Sequence, residues 1–145
     1  MSLEDWHQNS WLITHQTSRE EIADLFNVAA RDLNDCLSQG LSPEWKLNIA
    51  YNAALQLATA ALSACGYRAT RDSHHYRVIQ SLSYTIKADK ALIAQLDQFR
   101  KKRNVSEYER IGMVSDQEAD EMVYLAGKLH QHVQKWIADN YPELI

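Results

Sequence analysis

Apolar positions recur with a helical period along most of the chain. After Ser18, the residues Ile22, Leu25, Phe26, Ala29, Leu33 and Leu37 form one stripe, and "SREE" reads as a capping box from Ser18 to Glu21. Gly40 is expected to end this first helix. The second helix opens at "SPEW", where Ser42 can cap, Pro43 suits the first helical position and Glu44 complements the dipole. It runs to Gly66, is rich in Ala and is apolar on more than one face, which predicts a central position with close neighbours. A third, shorter helix is expected around 73–86, with Val78, Ile79, Leu82 and Ile86 inward. A fourth is expected from Asp89 to Ile111, ending near Gly112. The fifth starts at "SDQE", a second capping box from Ser115 to Glu118, and carries Met122, Leu125, Leu129, Val133, Trp136 and Ile137, with Pro142 beyond its end.

No alternating strand pattern of useful length is visible. Five helices with short connections predict an all-α, four- to five-helix antiparallel up-and-down bundle over residues 18–140. Residues 1–17 form an arm whose Trp6 and Trp11 are expected to dock on the body, and residues 141–145 form a tail. Trp45 and Trp136 are expected as core anchors.

Composition narrows the function classes. The chain has 145 residues, enough for one domain with its own core, and 46% hydrophobic residues argue against disorder. A net charge of −4 argues against broad electrostatic nucleic-acid binding but leaves room for a local basic patch. Cys36 and Cys65 lie within apolar helical patterns and read as reduced core residues. The N-terminal run is polar and acidic, unlike a secretory leader, and no apolar run reaches membrane-spanning length; a cytoplasmic location with no membrane partner is the expectation.

The fourth helix carries the chemistry. With Leu92 at zero and about 100° per residue, Leu96 falls near 40°, Phe99 near −20° and Arg103 near 20°. Arg103 therefore sits inside the apolar sector, with Asn104 and Tyr108 at its edge, whereas Arg100, Lys101 and Lys102 spread more widely. A guanidinium cannot be neutralised by deprotonation, so in that position it needs an anionic partner. Three partners fit: Glu107 one turn away, an acid on another helix, or a phosphate held at a cleft or subunit interface by the planar fork of the arginine.

The segment "RKKRNVSEYER", preceded by "IAYNAALQLATAALSACGYR" and "HHYRVIQSL", resembles the HEPN (higher eukaryotes and prokaryotes nucleotide-binding) superfamily over residues 18–140. The resemblance implies a helical bundle that commonly pairs as a homodimer, with two copies of the motif facing a shared cleft. It also implies RNA or nucleotide binding. Many such proteins are metal-independent endoribonucleases, often toxins paired with a nucleotidyltransferase antitoxin, and no cofactor is implied. The family motif is Arg, a polar residue, then His a few positions on. Arg103 and Asn104 match its first two members, and Tyr108 stands where His is expected. A tyrosine of ordinary pKa about 10 needs roughly 4 kcal/mol to ionise at neutral pH, although it can donate to phosphate or stack on a base without ionising.

Arg100 and Lys102 are expected as electrostatic support, and Arg68 can pair with an acid or join a cationic cleft. His74 and His75 diverge by about 100° on a helix and make a poor bidentate metal site; a surface position at the helix start is expected, with one of them lining the motif cleft as a substitute base as the alternative. His130 and His132 diverge further still, and no metal site is expected. Tyr51 and Asn52 are expected to hydrogen-bond within the core, with a contact to the cleft as the alternative. The alternative to all of this is a catalytically inactive homodimeric scaffold, with "RKKRN" as a structural ion-pair hub.

Overall fold

A computed structural model describes residues 1–104 and 113–145, apart from the side chain of Asn104. Its helices are α1 (Leu3–Gln8), α2 (Arg19–Asp35), α3 (Pro43–Ala64), α4 (His74–Gln80), α5 (Lys90–Asn104) and α6 (Asp116–Asn140). Two short strands, β1 (Leu12–Thr14) and β2 (Tyr67–Ala69), pair antiparallel. The chain is an all-α bundle. None of the described helices is long and apolar enough to cross a membrane. The expected end of the fourth helix, from residue 105 to Gly112, lies outside the described residues.

The alanines of α3 set the architecture. Ala50, Ala53, Ala54, Ala58, Ala60 and Ala61 are buried on all sides of this helix, so neighbours approach its backbone closely. α2 and α6 supply most of the packing against it, while α4, α5 and β2 cover the rest. Val78, Ile79, Leu82 and Ile86 all point inward, as the periodicity predicts. On α6, Met122, Leu129, Val133 and Ile137 are buried, with Leu125 and Trp136 packed at the margin of the core.

Helix starts follow the capping chemistry closely. Ser115 and Glu118 form the full reciprocal box at α6. At α2, Ser18 Oγ accepts from the Glu21 amide, but the Glu21 carboxylate turns away to His15 Nε2 (2.7 Å) and Thr17 Oγ1 (2.9 Å), so only half of the expected box forms. At α3, Ser42 accepts from the Trp45 amide. Gly66, at φ 89°, takes the left-handed turn that leads from α3 into β2.

Four expectations are corrected. α2 ends at Asp35 rather than Gly40, because the Leu37 and Ser38 amides close short turns onto Asn34 and Asp35. Leu37 therefore falls beyond the helical stripe and is 74% exposed. Trp45 is 54% exposed rather than a core anchor; it lies about 200° round the helix from the buried Leu47, on an uncovered face of the first turn. The third helix breaks at Gln80 into a 3-10 turn, Ser81–Ser83. There Ser81 Oγ donates to the Val78 carbonyl (2.6 Å) and Ser83 Oγ to that of Gln80 (3.0 Å), and hydroxyls bonding backward in this way disfavour further helix.

The N-terminal segment is stitched to the body. β1 aligns Leu12 with Ala69 and Ile13 with Arg68; Leu12 and Ala69 face inward, Ile13 and Arg68 outward. Three residues per strand leave too little alternation to be read from sequence. Trp6 is buried, edge-on to Trp11 and to Tyr84. The Arg77 guanidinium of α4 stacks 3.7 Å from the Trp11 ring centre and 5.8 Å from that of Trp6. Its Nε and Nη1 are buried without a hydrogen bond among the described residues, so the indole faces are what stabilises this charge.

Two substitutions test this account by urea denaturation. Ser115→Ala removes a reciprocal cap and is expected to lower stability by about 1 kcal/mol. Arg77→Ala removes the stacked cation and its packed stem and is expected to cost about 1–2 kcal/mol. An unchanged midpoint for Arg77→Ala would mean that the sandwich contributes nothing.

Candidate anion site between α4 and α5

The inner face of α5 carries Ile93, Leu96 and Phe99, all buried. Arg103 continues that face at the end of the helix, as the phasing predicts, and is half-buried. Its guanidinium lies 5.2 Å from the centre of the Tyr51 ring on α3. Among the described residues no carboxylate forms an ion pair with it. Glu107, the internal partner weighed from sequence, and Tyr108 lie outside the described residues, as does the Asn104 side chain.

The rest of the basic run is occupied differently. Arg100 Nε bonds Asp97 Oδ1 at 2.7 Å, and its guanidinium sits 5.3 Å from the Tyr76 ring centre. Lys101 reaches the other oxygen of Asp97 at 3.5 Å, and Lys102 pairs with Glu118 across to α6. Lys102 is therefore held at the α5–α6 junction, with its charge balanced there.

His74 and His75 open α4. His74 Nδ1 donates to the Thr70 carbonyl (3.2 Å), which leaves Nε2 free to accept or, when protonated, to donate. The His75 ring lies 6.1 Å from that of Tyr51 and 5.9 Å from that of His74. Burial holds the His75 pKa below the usual histidine value, and the positive charges of Arg103, His74 and Arg100 push it the same way. At neutral pH its imidazole is therefore in the base form.

Tyr51 was expected chiefly to hydrogen-bond within the core, and among the described residues it does not. The residue is 1% exposed, and its hydroxyl has no partner among the described residues. Burial pushes its pKa up to about 12 against the opposing pull of Arg103 and Arg100. The ring thus serves as a neutral aromatic wall between Arg103 and His75. Asn52, the next residue, does bond within the core: its Nδ2 donates to Asp32 at 2.7 Å.

Arg71, Ser73, His74, His75, Tyr76 and Arg100 line a hollow of about 610 Å³. Arginines, imidazoles and an exposed tyrosine meet there with no carboxylate among those lining residues, the donor set that suits an anion such as phosphate. Arg68, on β2, stands apart from this hollow, and Arg103 is not among its lining residues but lies behind it against Tyr51, whose ring also meets His75. Arg71 and Tyr76 were not foreseen as parts of the site, whereas for Tyr51 a cleft contact was the lesser of two expectations. Tyr76 follows the two histidines directly, which was a usable signal; Arg71 and Tyr51 join only through tertiary packing. No cluster of three or more His, Cys, Asp or Glu suited to a metal ion occurs among the described residues. Cys36 and Cys65 are both free thiols whose pKa values are raised, chiefly by burial.

The convergence of charge on His75 can be measured. Its imidazole NMR resonances are expected to titrate below pH 6.5, and Arg103→Gln is expected to move the midpoint upward. Because the folded-state pKa is depressed, the unfolded chain binds the extra proton first, so this residue's contribution to stability falls as pH drops through the unfolded value near 6.5. A His75 midpoint indifferent to Arg103→Gln would separate the two groups. In comparisons with known proteins, no family model, curated protein or solved structure matches this chain.

Proposed function

We propose that this chain is a HEPN-like RNA- and nucleotide-binding domain whose anion site is the α5 face of Arg100 and Arg103, opposed by His75 and Tyr76 of α4. The observation that carries the reading is Arg103: a permanent charge, drawn onto an apolar helix face and seated on an aromatic ring, with no carboxylate partner among the described residues. A phosphate oxygen satisfies such a fork in a way that a ring face alone does not. Arg100 adds a second guanidinium, and Tyr76, exposed beside it, offers a stacking surface for a base.

The same groups suit metal-independent RNA cleavage. A base accepts the 2′-hydroxyl proton, the 2′-oxygen attacks the adjacent phosphorus, and the bond from phosphorus to the 5′-oxygen breaks. The departing oxygen takes a proton from solvent, leaving a 2′,3′-cyclic phosphate. Arg103 stabilises the charge that builds on the phosphate oxygens. For the base, a tyrosine of ordinary pKa needs roughly 4 kcal/mol to ionise at neutral pH, whereas burial holds the His75 pKa below the usual histidine value. The proposal therefore gives the proton-accepting role to His75. A second copy of this chain across the α5 face and a nucleotidyltransferase antitoxin are the partners that accompany this reading.

A second reading has its own support. Asp97 engages Arg100 and Lys101, and Glu118 engages Lys102, so much of the basic run is balanced internally, as in an inactive homodimeric scaffold. Fluorescence anisotropy with labelled RNA, and cleavage assays with chelator present, separate the two. Arg103→Ala is expected to weaken RNA binding about 10- to 100-fold, the size of one charge-assisted contact. His75→Gln is expected to abolish cleavage while leaving binding within a few-fold of wild type. RNA binding indifferent to Arg103→Ala would favour the scaffold.

A further inference from the structure

A second hollow, of about 510 Å³, adjoins the first and shares Arg71 and His74 with it; Ile13, Arg68, Ala69 and Thr70 complete its lining. We infer that this hollow beside β2 is a second phosphate subsite, so that the domain holds at least two consecutive phosphates of one single strand rather than a lone nucleotide. The inference rests on the reading of the first hollow as a phosphate site.

Three observations support it. Arg68 and Arg71 line the same hollow, with His74 between it and the first. Neither arginine forms an ion pair among the described residues. The acid whose charge is felt near Arg68 is Glu21, and its carboxylate is already bonded to His15 and Thr17. Like charges gathered round a concavity repel one another unless an anion sits among them.

The backbone beneath is fixed. Arg68 stands opposite Ile13 in the β1–β2 register, and the ladder is flanked by His15 N to Gly66 O (2.9 Å) and Thr70 N to Trp11 O (3.1 Å). The alternation that turns Leu12 and Ala69 inward holds Arg68 outward at the rim. The shared residues make the two hollows one continuous cationic track on a chain whose net charge is −4. Tyr76 lies in the first hollow only, so stacking on a base is available there and phosphate contact alone in the second. An unpaired strand meets both demands; a duplex, with its bases stacked inside, does not.

The test compares a 5′-mononucleotide with a ten-nucleotide single-stranded RNA, each titrated over a salt series by anisotropy or competition. Arg68→Ala, which alters the second hollow and not the first, is expected to leave mononucleotide affinity unchanged and to weaken the oligonucleotide about tenfold. The log–log salt slope is expected to flatten by about 0.7, the value for one lost phosphate contact on a single strand. Arg68→Lys is expected to keep the wild-type slope. Unchanged oligonucleotide affinity and slope in the alanine variant overturn the inference, as does equal weakening of both ligands or equal affinity of the wild type for a duplex of the same length. Arg103→Ala separates the two failures. If it leaves mononucleotide binding intact while Arg68→Ala still weakens the oligonucleotide, the first site falls and the second stands.

Discussion

A guanidinium that cannot lose its proton, placed where a helix should present hydrocarbon, is the constraint that organises one side of this molecule. The apolar face of α5 buries Ile93, Leu96 and Phe99, and its last described position on that face is Arg103. The chain meets the demand with the face of Tyr51, an electron-rich surface that attracts a cation without quenching it as a carboxylate would. The charge therefore still acts on its surroundings. It lowers the proton affinity of His75 and opposes the burial effect that raises the pKa of Tyr51.

That arrangement depends on α3. A helix rich in alanine lets α2, α6, α4 and α5 pack close against it. Tyr51 is the buried aromatic residue of that helix, and it meets His75 of α4 and Arg103 of α5. Its unbonded hydroxyl marks a local compromise: the ring is retained as a wall although its polar end finds no partner among the described residues. Binding sites tend to carry such compromises, because the geometry that suits a ligand is seldom the one that best satisfies the empty protein.

The sequence was informative wherever the cause was local. Ser42, Ser115 and Gly66 mark their helix ends through chemistry confined to a few residues, and the phasing of Arg103 follows from counting along one helix. It was silent or misleading wherever the cause lay elsewhere in the chain. Leu37 and Trp45 look like core residues until the helix end and the uncovered turn are known. The strands are too short to show a period, and they exist because a distant segment supplies the partner. The charge on Lys102 looked available and is matched by Glu118 on α6. Arg71 lies in a segment that sequence reads only as a loop, and it gains neighbours from two hollows, one lined by α4 and α5 and the other by β1, β2 and the start of α4.

The sandwich of Arg77 with Trp6 and Trp11 has an optical consequence. Indole emission is sensitive to a charge lying against the ring, and Arg77 belongs to the same short helix as His74 and His75. The seating of that helix is thus coupled to two native fluorophores at the far end of the chain. A shift of α4 would change their emission, so the protein carries its own reporter for movement of this helix without any added dye.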